Sequence, residues 1–287
     1  MTTDPACPPW WRERTERFGE VLARPLSIVA GAFRSSPDAQ VLTELRVVER
    51  APGAIARLRL YHEQGWKRRF VALQQSFPRT ERLLGAHRFN RAAMIVLTHE
   101  RRAGHDLAEI AEPFFPALAA ALAGGGAQAW LRELRTLLSE SRAPRLALRA
   151  ASCLDEAERR AFRADVPAGS NDVRWRERQD ARARLAPSFS LLRVEHDLVD
   201  VSRVCEGRAQ SLRAPLHVTV VATASGVAVR LIDPVFARLL ALASERTLGE
   251  AVARTRAALD ARLVARFDAD AYVGEAFGRG YWVGLVG

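Results

Sequence analysis

The sequence is poor in cysteine, methionine and tyrosine, with three, two and three residues among 287. Cys7, Cys153 and Cys205 are far apart and odd in number. Neither a disulfide framework nor a CxxC zinc knuckle can be built from them, so incidental thiols are expected. Lysine is nearly absent, Lys67 standing alone. No run of about 18 uncharged apolar residues occurs, so no membrane-spanning helix is expected. The first residues carry acid, proline and tryptophan instead of the basic-then-apolar layout of a secretory signal. The expected location is the cytoplasm.

What is present is arginine, alanine and leucine. Lys and Arg total 43 against 33 Asp and Glu, a net charge of +10. A basic balance of this size can mean nucleic acid. Here the charge is almost all arginine, is spread along the chain and accompanies abundant alanine, as the residue bias of a GC-rich genome would produce. Its one local concentration is Arg174, Arg176, Arg178, Arg182 and Arg184. That stretch reads as a solvated helix or linker, or as a surface for an acidic partner. Hydrophobic residues make up 48%, enough for a folded core, and the length allows two domains.

The first part of the chain has helical periodicity. Residues 10–24 suit an amphipathic helix ending at Pro25. Asp38 can cap a second, with Val41, Leu42, Leu45 and Val48 on one face. Pro52 opens a long third, in which Ile55, Leu58, Tyr61, Trp66, Phe70, Leu73 and Phe77 recur at helical spacing until Pro78 interrupts it. A short helix over 79–84 ends at Gly85. Further helices are expected near 87–98, 127–141 and 144–162, with Pro113 and Pro116 breaking the chain between and Gly124, Gly125 and Gly126 forming a break. Pro167, Gly169, Ser170 and Asn171 read as a linker. Beyond it Leu191, Leu192 and Val194 suggest a short strand, and 216–223 and 227–232 two clearer ones joined by a hairpin-like turn. Asp233-Pro234 then starts a helix. Thr247 and Glu250 form a capping box for the next. The expected fold class is mainly α with a smaller α+β C-terminal domain: a helical domain over 1–166, a linker over 167–187 and a winged-helix-like or peptide-recognition-like unit over 188–287.

The known catalytic patterns fail one by one. His62-Glu63 and His99-Glu100 begin like the HExxH zinc motif, but Trp66 and Ala103 stand where its second histidine belongs. Glu195-His196-Asp197 falls on a strand or loop, where adjacent side chains point to opposite faces. The glycine triplet lacks the Gly-Lys-Ser/Thr of a phosphate loop, and no GxSxG elbow occurs. Asp155, Glu156 and Glu158 sit beside Arg159 and Arg160 and read as ordinary ion pairs. No catalytic residue, no metal site and no cofactor is therefore expected. Tyr61, Phe70, Phe77 and Phe89 are expected in the core. At least one of Trp10 and Trp11 should be exposed. Trp66, beside Lys67, Arg68 and Arg69, could be an exposed anchor or a buried ring.

Two stretches carry a resemblance. Residues 57–84, RLRLYHEQGWKRRFVALQQSFPRTERLL, followed by Gly85 and Phe89, resemble the signature of a helical family labelled as a DNA-binding domain, of the HvfC/BufC type. Tyr61, Arg69, Phe77, Pro78, Leu83, Leu84, Gly85 and Phe89 carry the match. CLDEAERRAF, 153–162, is similar to a variant branch. Members of that family are partner subunits of multinuclear non-heme iron oxidases, including the methanobactin-synthase partner. The resemblance implies that iron and oxidative chemistry belong to the other subunit, and that this chain presents the leader of a ribosomally made precursor peptide for modification of its cysteines. The run strand, strand, Asp-Pro, Leu-Leu, Thr-Leu-Gly-Glu-Ala is similar to small peptide-recognition domains in which a leader adds a strand to an exposed sheet edge. Val218, Val220, Ala222, Val227, Val229 and Leu231 are the expected peptide-binding residues. Trp66, Arg69, Tyr281 and Trp282 are the expected partner interface, although the apolar tail from Tyr281 could instead dock on its own domain. The expectation is a non-catalytic accessory subunit with an iron oxidase and a precursor peptide as partners, and with neither membrane nor nucleic acid. The alternative is a DNA-binding regulator, for which the helix from Pro234 offers only Arg238 to base edges, while Arg254, Arg256 and Arg262 suit phosphates.

Overall fold

The computed structural model describes residues 8–35, 45, 53–100, 107, 109–166, 174–205 and 207–286. The chain is mainly helical with a smaller sheet portion. Among the described residues no helix is long and apolar enough to cross a membrane. The chain divides into two compact units, one of residues 1–76 and 85–141, the other of residues 77–84 and 142–287.

In the first unit α1 (Pro9–Ala23) starts with proline at its first turn, where the missing amide costs nothing. A small hairpin follows, β1 (Ser27–Val29) and β2 (Ala32–Arg34). The long α2 (Ala54–Ser76) buries Leu58, His62, Trp66, Phe70 and Leu73, a stripe at spacings of three and four. Val21, Leu45 and Leu58 form a small core between α1 and α2. The helices α4 (Ala86–His99), α5 (Phe114–Ala123) and α6 (Ala129–Ser139) complete the unit. Phe89 meets Phe114 edge-on at 5.2 Å between centroids. Pro116 does not break α5, because it falls in the first turn, before any intrahelical amide is needed. Gly124 ends α5 at φ 83, the left-handed conformation glycine adopts without steric penalty.

The second unit is built on α3 (Pro78–Leu84), α7 (Arg145–Arg163), and a three-stranded antiparallel sheet, β4 (Ser190–His196), β5 (Ser211–Thr223) and β6 (Gly226–Ile232), in the order β4-β5-β6. Helix α7 packs on all three strands. A second core is formed by Val221 with α8 (Pro234–Ala243), α9 (Leu248–Ala257) and α11 (Ala269–Gly278), through Phe236, Leu239, Leu240, Leu248, Val273 and Phe277. A short α10 (Ala261–Val264) lies between α9 and α11. Asp233 caps α8 by accepting from the amides of Val235 and Phe236, and Thr247 caps α9 through the amide of Glu250. Asp260 and Asp268 do the same for α10 and α11. The C-terminal β7 (Trp282–Val286) pairs antiparallel with β3 (Arg182–Leu185). The apolar tail therefore docks on its own unit.

Several expectations change. The helix capped by Asp38, with Val41, Leu42 and Val48, and the start at Pro52 lie outside the described residues, as do Cys7 and the linker residues Pro167, Gly169, Ser170 and Asn171. The expected boundary near 166 differs from the division into units: α3 and α7 go with the sheet, because α3 packs on α7 and α7 packs on the strands. The later part of the expected linker is not a linker, since Trp175–Arg178 forms a 3-10 turn and 182–185 a strand. Tyr61 is 59% exposed and not core, while Phe70, Phe77 and Phe89 are buried. Trp10 and Trp11 are both exposed.

Candidate functional site

The strand pairings decide where another chain could add. Strand β5 is central: His217 to Thr223 pair with β6, and Leu216 to Val220 pair with β4. Val218, Val220 and Ala222 are buried and lie on this middle strand. Val218 and Val220 have a strand on both sides and cannot bind an added one, while Ala222 lies past the end of the β4 pairing, with its amide donating to the Ser188 hydroxyl at 3.2 Å. Val227, Val229 and Leu231 lie on β6, an outer strand, with Leu231 well exposed. The other outer strand, β4, pairs only with β5 among the described residues.

A groove of about 570 Å³ opens along β4. Leu191, Leu192 and Arg193 form one wall. Neighbouring residues of a strand face opposite sides, so Leu191 and Arg193 rise on one face with Leu192 between them, and the groove lies over that face of β4. Opposite them α8 contributes Pro234, Val235, Ala237, Arg238 and Ala241. Residues 234, 237, 238 and 241 are one helical stripe, and the two alanines on it leave room between helix and strand. Leu259 and Leu263 close the groove, and His217, the cross-strand partner of Arg193, lies within it. The volume lies in the range of small-ligand and peptide pockets, about 300–1,000 Å³. An outer strand beside an apolar cleft offers main-chain groups for affinity and side-chain pockets for selection.

Three of the four expected partner-interface residues lie in the interior. Trp66 and Trp282 are fully buried, as is Tyr281. Trp66 donates its indole N–H to the Arg24 carbonyl at 2.8 Å, and the half-buried Arg69 guanidinium stacks over its ring at 5.1 Å. Burial disfavours the Arg69 cation and lowers its pKa. Tyr281 accepts a hydrogen bond from Thr219 at 2.8 Å, and Trp282 packs edge-on to Phe277. These rings are too valuable to the interior to remain outside: each removes a large apolar area from water.

The polar candidates also resolve as structural. His62 is buried on α2, with Nε2 2.7 Å from the Arg24 carbonyl and Nδ1 2.9 Å from the Ser35 hydroxyl. A carbonyl can only accept, so Nε2 carries the proton and Nδ1 accepts from Ser35. Burial lowers the pKa of the ring, outweighing the carbonyl contact. His99 stacks on Trp130. Glu195 and Asp197 pair with Arg193 and Arg203 at 3.5 and 3.6 Å, whereas His196 is buried between them. The three do not converge. Among the described residues no group of three or more His, Cys, Asp or Glu side chains is placed to hold a metal ion.

Asp155, Glu156 and Glu158 divide their work. Glu156 pairs locally with Arg159 at 2.8 Å. Asp155 and Glu158 instead meet Arg79 on α3, at 3.1 and 2.6 Å. Arg79 also donates to the carbonyls of Leu198 and Val199 at 2.6 and 2.8 Å. Thr80 gives Asp155 its backbone amide and its hydroxyl, at 2.9 and 2.8 Å. Burial raises the Asp155 pKa to about 6, with Arg79 and Thr80 opposing. In the arginine-rich stretch, Arg176 and Trp175 both bind Asp270, and Arg174 pairs with Glu177 at 3.8 Å. That stretch is thus partly neutralised.

Sequence reasoning missed the α8 and α10 side of the groove and the role of β4 as its wall. Leu191 and Leu192 were the available signal, being two adjacent apolar residues on a short strand that period-two alternation would not bury together. Comparison of the chain with family models, curated proteins and solved structures finds no match.

Proposed function

We propose that this chain is a non-catalytic recognition subunit that captures an extended peptide segment as an added strand along β4. The carrying observation is that three successive residues of an outer strand line an apolar groove faced by a helix. Strand addition needs no special side chain, because the strand's unpaired amides and carbonyls bind the incoming backbone. The order of sheet, helix, turn and helix suits a winged-helix-like peptide-recognition unit.

The identity of the guest and of the enzyme rests on the resemblance in residues 57–89 and 153–162. On that basis the segment is the leader of a ribosomally made precursor peptide. The enzyme is a multinuclear non-heme iron oxidase that modifies its cysteines in the cytoplasm. Iron belongs to that enzyme, and this chain supplies no cofactor.

Co-expression of this chain with such an oxidase and a cysteine-bearing precursor peptide tests the assembly. Affinity purification of this chain should bring down both. Recovery of this chain alone contradicts the assembly, and turnover of the peptide by the metal-stripped chain contradicts the non-catalytic role.

A further inference from the structure

We infer that the β4 groove selects a segment with the pattern apolar, any residue, acidic, the acidic side chain lying opposite Arg193 and within reach of Arg238; this rests on strand capture at β4. Leu191 and Arg193 are two residues apart, so they rise on the same face of the strand. An added strand has the same repeat, whichever direction it runs. Residues of that strand opposite Leu191 and Arg193 are therefore also two apart, and cross-strand neighbours at this distance choose one another by polarity and charge.

The charges of the groove have one sign. Among the described residues its lining contains Arg193 and Arg238 and no carboxylate. Arg238 is exposed, and among the described residues it forms no ion pair. It sits in the middle of the α8 stripe with Pro234 one turn before it and Ala241 one turn after. Arg193 has an ion pair with Glu195, but both side chains are mostly exposed at 63% and 56%. Such a pair is weak and exchanges readily for a partner held in place. A basic guest residue would set like charges against both arginines with an apolar wall behind them, which discriminates against it.

The test uses a fluorescein-labelled peptide of serine and threonine with Leu-Thr-Asp-Thr-Leu at its centre, and a counterpart with Lys for Asp. Anisotropy titrations of the full chain should show the Asp peptide binding at least about tenfold more tightly, a difference that added salt reduces. Arg193→Glu with Arg238→Glu should reverse the preference. Both positions are exposed, and an unchanged circular dichroism melt verifies the fold. Equal binding of the two peptides, with β4 amides protected in the complex, overturns the acidic selection and leaves strand capture standing. No binding of either peptide overturns strand capture as well. Retention of random duplex DNA at physiological salt, lost in the double variant, would assign the two arginines to phosphate and overturn the inference.

Discussion

Asp155 on α7 and Arg79 on α3 are 76 residues apart in sequence, yet the buried Asp155 carboxylate accepts from both the backbone amide and the guanidinium of Arg79. The pair pins a seven-residue helix, too short to be stable alone, to the helix that backs the sheet. Removing one partner strands a buried charge, which typically costs about 3–5 kcal/mol. Asp155→Ala should therefore lower the urea midpoint sharply, with the slope of the transition little changed, as chemical denaturation followed by circular dichroism would read.

The same carboxyl gives a pH dependence. Burial, the largest influence, lifts Asp155 from 3.8 to about 6. The folded chain then holds this proton more tightly than the unfolded chain does. The stability Asp155 contributes in this way is fully present below about pH 4 and is lost as the pH rises through 6. Melting temperatures between those limits should fall with rising pH in the natural protein and flatten in Asp155→Asn.

The tryptophans separate interior from surface. Trp66→Ala and Trp282→Ala should each cost about 3–5 kcal/mol, the usual loss for a buried aromatic truncated to alanine. Trp10→Ala should stay within about 0.5 kcal/mol, since its ring is exposed. Thermal melts of the three variants check this, and a neutral Trp282→Ala would contradict the burial of the C-terminal strand.

The groove can be filled without touching the core. Ala241 is exposed on α8 and lines the cleft. Ala241→Trp should leave the melt unchanged and weaken peptide binding by about tenfold or more, in a calorimetric titration with the Leu-Thr-Asp-Thr-Leu peptide.

Local chemistry was legible in the sequence, and pairing at a distance was not. The two main strands, the Asp233-Pro234 start of α8 and the Thr247 cap follow from residues that act on near neighbours. The place of β5 between two strands does not, because alternation in Val218, Val220 and Ala222 reports which face is buried and is silent on what lies beside the backbone. For the same reason the hairpin looked like the binding edge when β4 carries the groove. Arg79 gave no sign of its partner: Asp155 has Arg159 and Arg160 nearby in sequence, but those two pair with Glu156. Tyr281 and Trp282 read as a surface anchor or a docked tail until the pairing of β7 with β3 showed them inside.

Strand capture at β4 is tested most directly by amide hydrogen exchange of the chain with and without a saturating amount of the Leu-Thr-Asp-Thr-Leu peptide. The account predicts new protection in Ser190–His196, with the central β5 slow in both states and β6 unchanged. Protection confined to Gly226–Ile232, or absent from every strand while the peptide is bound, would contradict it.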